Sequence, residues 1–95
     1  MTFSEFKDSL KQATPPLQLT NALQALWYDG KGDWEAAHNV AQEIHTLEGS
    51  WIHAYLHRKE GDLGNASYWY HRANQPPSKK SLAEEWEEIT KAMLD

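Results

Sequence analysis

Apolar residues recur along the chain at steps of three and four, the spacing that lines one face of an α-helix. They do so in six stretches separated by glycine, proline and small polar residues. Phe3, Phe6, Leu10 and Ala13 form the first stripe, and Thr2 and Glu5 have capping-box spacing, so a helix is predicted over residues 3–13. Thr14 before Pro15 suits an N-cap with proline at the first helical position, and Leu19, Leu23, Leu26 and Trp27 then make a second stripe ending near Asp29. Asp33 is the expected cap of a third helix with Ala37, Val40, Ala41 and Ile44 inward, and Ser50 that of a fourth carrying Trp51, Ile52, Tyr55 and Leu56. Asp62 opens a fifth, with Leu63, Ala66, Trp69, Tyr70 and Ala73 on its buried side. After Pro76-Pro77, Ser81 and Glu84 open a last helix with Leu82, Trp86, Ile89 and Met93 inward. No stretch alternates with period two, so the predicted class is all-α.

The stretches also repeat. Gly32, Asp33 and Ala37 recur as Gly61, Asp62 and Ala66 at an offset of 29 residues, and Ala25, Leu26 and Val40 map onto Ala54, Tyr55 and Trp69. Each copy reads as a helix, a turn in which glycine ends one helix and aspartate caps the next, and a second helix whose alanine permits close approach. The expected layout is one domain over residues 1–95: an N-terminal helix within 1–14, a hairpin over 15–48, a second over 49–75, and a C-terminal helix within 78–95. The flanking helices cover the ends of a short stack that would not fold as single hairpins.

Gly32-Asp33-Trp34 with Ala37, and Gly61-Asp62-Leu63 with Ala66, resemble the turn of the tetratricopeptide repeat. The run His53-Ala54-Tyr55-Leu56-His57-Arg58-Lys59-Glu60-Gly61-Asp62, followed by Asn65-Ala66, Tyr68-Trp69-Tyr70 and Arg72, looks like the signature of a family of uncharacterised, tetratricopeptide-like proteins. That resemblance implies a fold and no activity. In such stacks the first helix of each hairpin lines a concave face, which would bring Trp27, Tyr28, Trp51, His53, His57 and Arg58 to one surface.

Composition narrows the function. The chain is acidic, with a formal charge of −5, and lacks the basic stripe needed to displace counterions from a phosphate backbone, so nucleic acid is not an expected partner. The net-positive segment is 50–78, where Arg58, Lys59 and Arg72 outnumber Glu60 and Asp62. An anionic ligand is expected to dock there. Cysteine is absent, which removes disulfides, thiolate metal sites and cysteine nucleophiles. No apolar run approaches a membrane span and the first ten residues do not read as a signal peptide, so no membrane partner and a cytoplasmic address are expected.

Candidate chemistry concentrates in the same segment. On a helical wheel His53, His57 and Glu60 fall on a stripe opposite Trp51, Ile52, Tyr55 and Leu56, and histidines at i and i+4 can chelate one ion, with Glu60 as ligand or orienting partner. His71 is the nearest further ligand by topology, whereas His38 and His45, two turns apart, read as flank residues. Surface or capping roles are the expectation for these histidines, with no metal or other cofactor assigned. Asn65, Tyr68 and Arg72 form a second polar stripe of groups that orient ligands or peptide backbones, although Arg72 paired with Glu60 would serve structure alone. Asp33 and Asp62 are assigned to caps, and Glu84, Glu85, Glu87 and Glu88 to a solvated face. The sequence-level conclusion is a module that binds a protein or peptide, through an acidic or carboxylate group, at His53, His57, Arg58, Glu60, Asn65, Tyr68, His71 and Arg72. A small metal-dependent or acid/base enzyme centred on His53, His57 and Glu60 is the alternative, and self-association through exposed aromatics a third.

Overall fold

Side-chain caps decide where the helices of this chain begin. In the computed structural model, which describes residues 1–94, they are α1 (Phe3–Ser9), α2 (Asn21–Gly30), α3 (Trp34–Ala41), α4 (Leu47–Glu60), α5 (Leu63–Arg72) and α6 (Leu82–Leu94), with no strand among the described residues. The Thr2 hydroxyl accepts from Glu5 N at 3.1 Å while the Glu5 carboxylate accepts from Thr2 N at 2.8 Å, the reciprocal box expected. Asp33 and Asp62 accept from Ala36 N and Asn65 N, and Ser81 and Glu84 form the box that opens α6.

Four boundaries differ from the sequence reading; α3 ends at Ala41 with Gln42 as its C-cap, so Ile44, expected inward on that helix, lies beyond it. α1 stops at Ser9 rather than at residue 13. The Ser9 hydroxyl donates to Phe6 O and accepts from the Trp27 indole, and the Lys31 ammonium donates to Leu10 O and Gln12 O, drawing those carbonyls away from a helical ladder. α2 is capped by Thr20, not Thr14, because a residue before proline is pushed out of the helical region and Thr14 and Pro15 both precede one. α4 is capped by Thr46, whose hydroxyl accepts from Gly49 N at 3.2 Å, so Ser50 lies inside the helix. Gly49, read as punctuation, is a point of close approach: a Cβ there would fall 2.1 Å from Ile44 O.

The 29-residue offset is a structural repeat. Gly32 and Gly61 adopt φ of 84° and 91°, in the left-handed region that favours glycine, and the following amides reach back across the turn, Asp33 N to Tyr28 O and Asp62 N to His57 O, both at 2.9 Å. Ala25, Ala37, Ala54 and Ala66 are all buried, which lets α2 close on α3 and α4 on α5.

α4 is the central helix, packed against α2, α3, α5 and α6. Six successive residues, Ile52 to His57, are buried, so it has no solvated face along that stretch. Its Ile52 and Leu56 meet Phe6, Leu26, Trp27 and Ile89 in the main core, while Ala54, Ala66 and Tyr70 form a smaller cluster toward α5. α6 closes the other side: the Trp86 indole donates to Leu26 O at 3.0 Å and lies 5.9 Å from the rings of both Phe3 and Phe6.

Two buried carboxylates pin these layers. Glu85, expected on a solvated face, is 1 % exposed; it accepts from Arg58 at 2.8 Å and from the Tyr70 hydroxyl at 2.6 Å. Arg58 also donates to Lys80 O, so it ties α4 to α6. Asp29, at the end of α2, accepts from the Tyr55 hydroxyl and the Lys59 ammonium, each at 2.8 Å. Burial raises both tyrosine hydroxyls well above their ordinary range, and the adjoining carboxylates add to the effect. Leu63, expected inward, is 67 % exposed. Among the described residues, no helix is long and apolar enough to cross a membrane.

Candidate functional site

The buried stretch of α4 places imidazoles where a helix ordinarily holds aliphatic side chains. His53 and His57, one turn apart, stack with ring centroids 4.7 Å apart, and His38 of α3 meets both edge-on, at 4.7 Å from His53 and 5.2 Å from His57. His53 and His57 are buried and His38 is half-buried, which replaces the surface positions expected for all three. The contact between α3 and His53 is direct: Nε2 of His38 and Nε2 of His53 lie 3.0 Å apart and share one proton.

Two indoles wall the cluster. Trp34 stacks on His38 at 4.9 Å with planes 11° apart, and Trp69 of α5 stacks on His53 at 4.0 Å with planes 18° apart. Trp34 is itself anchored, its indole N–H donating to Leu56 O at 2.8 Å. Burial pushes His53 down to about 4, with His38 and His57 adding their repulsion to any proton on it. His38 is lowered by burial and by His57, against an opposing pull from Glu60. Both rings are therefore neutral at pH 7.

His57 is held from two sides. Its Nδ1 lies 2.6 Å from the Glu60 carboxylate and its Nε2 lies 3.4 Å from the amide of Asn65. With Nδ1–H donating to Glu60, the Nε2 lone pair faces Asn65, so the carboxylate fixes both the tautomer and the ring. His57 and Glu60 of α4 and Asn65 of α5 are thus brought together.

The second polar stripe meets the cluster through Trp69. The Arg72 guanidinium lies 5.2 Å from the Trp69 ring and 5.8 Å from that of Tyr68, and its Nη1 donates to the Tyr68 hydroxyl at 3.0 Å. The alternative pairing with Glu60 does not occur, since Glu60 is taken by His57; Arg72 makes no ion pair among the described residues. Arg72, Trp69 and His53 form one wall of a groove of about 410 Å³ whose other side is Gln42, Ile44 and His45 of the α3–α4 connection, with Thr46, Leu47 and Ser50 at the start of α4.

Other expected members fall elsewhere. Arg58 belongs to the buried pair with Glu85, and His71 is exposed and outside the imidazole group. Trp27, Tyr28 and Trp51 do not share a face with the histidines: Trp27 is buried against Ser9, Tyr28 packs edge-on to Trp27, and Trp51 packs against both core clusters. His38, Trp34 and Gln42 were missed. They stand at successive steps of four, a polar and aromatic stripe running beside the buried Ala37 and Ala41 and ending at Gln42, the C-cap of α3. Compared with protein-family models, curated proteins and solved structures, the chain matches none.

Proposed function

We propose that the chain is a tetratricopeptide-like module that binds a protein or peptide by a carboxylate group, and that it does so in the groove between the α3–α4 connection and α5. The observation that carries this reading is Arg72. Its side chain is oriented by Tyr68 and Trp69, stands free of any acidic partner among the described residues, and borders apolar Ile44 and a half-exposed Leu47. A planar guanidinium held over an indole is suited to a carboxylate, and the apolar rim to an aliphatic side chain beside it. The groove is small, which fits the end of a chain or one acidic residue. A cytoplasmic location, from the composition, and self-association through exposed aromatics accompany this proposal.

The test is an array of short peptides with free terminal carboxylates, each spotted beside its amidated counterpart, probed with the intact chain and with Arg72→Gln. Peptides captured only with the free carboxylate, and at least tenfold more weakly by Arg72→Gln at unchanged melting temperature, are the expected result. Equal capture of amidated peptides, or no loss in Arg72→Gln, overturns the proposal.

A further inference from the structure

We infer that His38, His53 and His57 form a binding site for a divalent transition-metal ion of the zinc class, with Glu60 as the residue that orients His57. This goes beyond carboxylate capture and stands on separate observations. The three rings offer one ligand nitrogen each, and these atoms all lie within 4.8 Å of one another. Two of them, Nε2 of His38 and Nε2 of His53, are 3.0 Å apart. Nitrogens on a tetrahedral ion at zinc–imidazole distances stand roughly 3.3 Å apart, so this pair needs to part by only a few tenths of an ångström. His57 supplies the third nitrogen within the same 4.8 Å limit.

Each accompanying feature is what such a site requires. A carboxylate on the far nitrogen of a ligating histidine fixes its tautomer and strengthens its basicity, and Glu60 sits 2.6 Å from Nδ1 of His57. Trp34 and Trp69 supply the apolar walls that limit water around the ion. Binding needs no net proton release from the His38–His53 pair: the ring whose Nε2 now donates moves that proton to its own Nδ1 and offers the lone pair. Three protein nitrogens leave a fourth position for water or an exogenous ligand, the pattern of a reactive rather than a purely structural zinc site. The neighbouring group His57, Glu60 and Asp62 is a weaker candidate, because the Asp62 carboxylate is engaged in capping α5 at 3.2 Å from Asn65 N and both acids are exposed.

The probes are zinc and cobalt(II), titrated separately into the chelator-treated 95-residue chain. Expected are one equivalent bound, a zinc-dependent rise in melting temperature, and intense visible cobalt bands of a tetrahedral field that zinc displaces. His38→Gln and His53→Gln are expected to weaken zinc binding at least a hundredfold. Glu60→Gln, at an exposed position that leaves folding intact, is expected to weaken it about tenfold to a hundredfold. His45→Ala and His71→Ala, at exposed histidines outside the cluster, serve as controls and retain full affinity. Absence of a one-to-one isotherm with the wild-type chain, an octahedral cobalt spectrum, or affinity that falls with His45→Ala or His71→Ala instead of Glu60→Gln overturns the inference.

Discussion

His53 shows how one residue's surroundings reverse its ordinary behaviour. An exposed histidine takes a proton near pH 6.5, as does His53 in the unfolded chain. Folded His53, buried between His57 and Trp69, takes it only near 4. The unfolded state therefore binds the extra proton between these values, and the stability linked to this ring is complete above about pH 6.5 and is lost as the pH falls toward 4. His38 acts in the same direction. Following the ring signals by NMR should show His53 titrating far below the ordinary histidine range, and His53→Gln should flatten part of the acid limb of the melting curve. A His53 midpoint at or above 6.5 would contradict this account.

Arg58 makes the complementary case, a residue whose local pattern suggested a ligand contact and whose partner lies 27 positions away. Removing it leaves Glu85 buried beside only the Tyr70 hydroxyl. Arg58→Ala should cost about 3 kcal/mol in urea unfolding, whereas Lys80→Ala, which removes an exposed pair with Glu88, should cost less than about 1 kcal/mol. Equal effects would mean that Glu85 is not held by Arg58.

At the level of elements, the turns carry the clearest instruction. Gly32 and Gly61 are glycines because of their positive φ, and Gly64 is one without that need: it lies in α5 with open space around its Cβ position. Gly61→Ala should destabilise by about 1–2 kcal/mol, while Gly64→Ala should stabilise by roughly 0.5–1 kcal/mol. Thermal melts of the two variants moving in the same direction would remove the turn's role in the repeat. Element type and order were legible because caps and apolar stripes are local signals, and both Gly-Asp turns lie where the offset put them. The starts of α2 and α4 were not: Thr14 and Ser50 are as good in isolation as Thr20 and Thr46, and the choice depends on Pro15-Pro16 and on the packing of Gly49 against Ile44.

Across the whole molecule, what the sequence conceals is burial by third parties. The helical wheel places His53 and His57 opposite the Trp51 stripe, and that geometry holds; what it cannot show is that α3 and α5 cover the opposite side as well. A hint was available, since residues 51–57 contain neither lysine nor glutamate and a surface helix rarely spares seven positions. Glu85 and Asp29 gave no comparable sign, because their partners come from distant segments. The same packing that hides the histidines leaves Arg72 outside, turned toward the groove by Tyr68 and Trp69.

The central claim, that this groove receives a carboxylate, is tested most directly by NMR of the side-chain N–H groups during titration with a free-carboxylate peptide taken from the array. The indoles of Trp27, Trp34 and Trp86 are each bonded internally, to Ser9, Leu56 and Leu26, and are expected to stay fixed. The Arg72 and Trp69 signals are expected to move together and saturate, and to stay still with the amidated peptide. Saturating shifts confined to the α2–α6 side, with Arg72 unmoved, would contradict the claim.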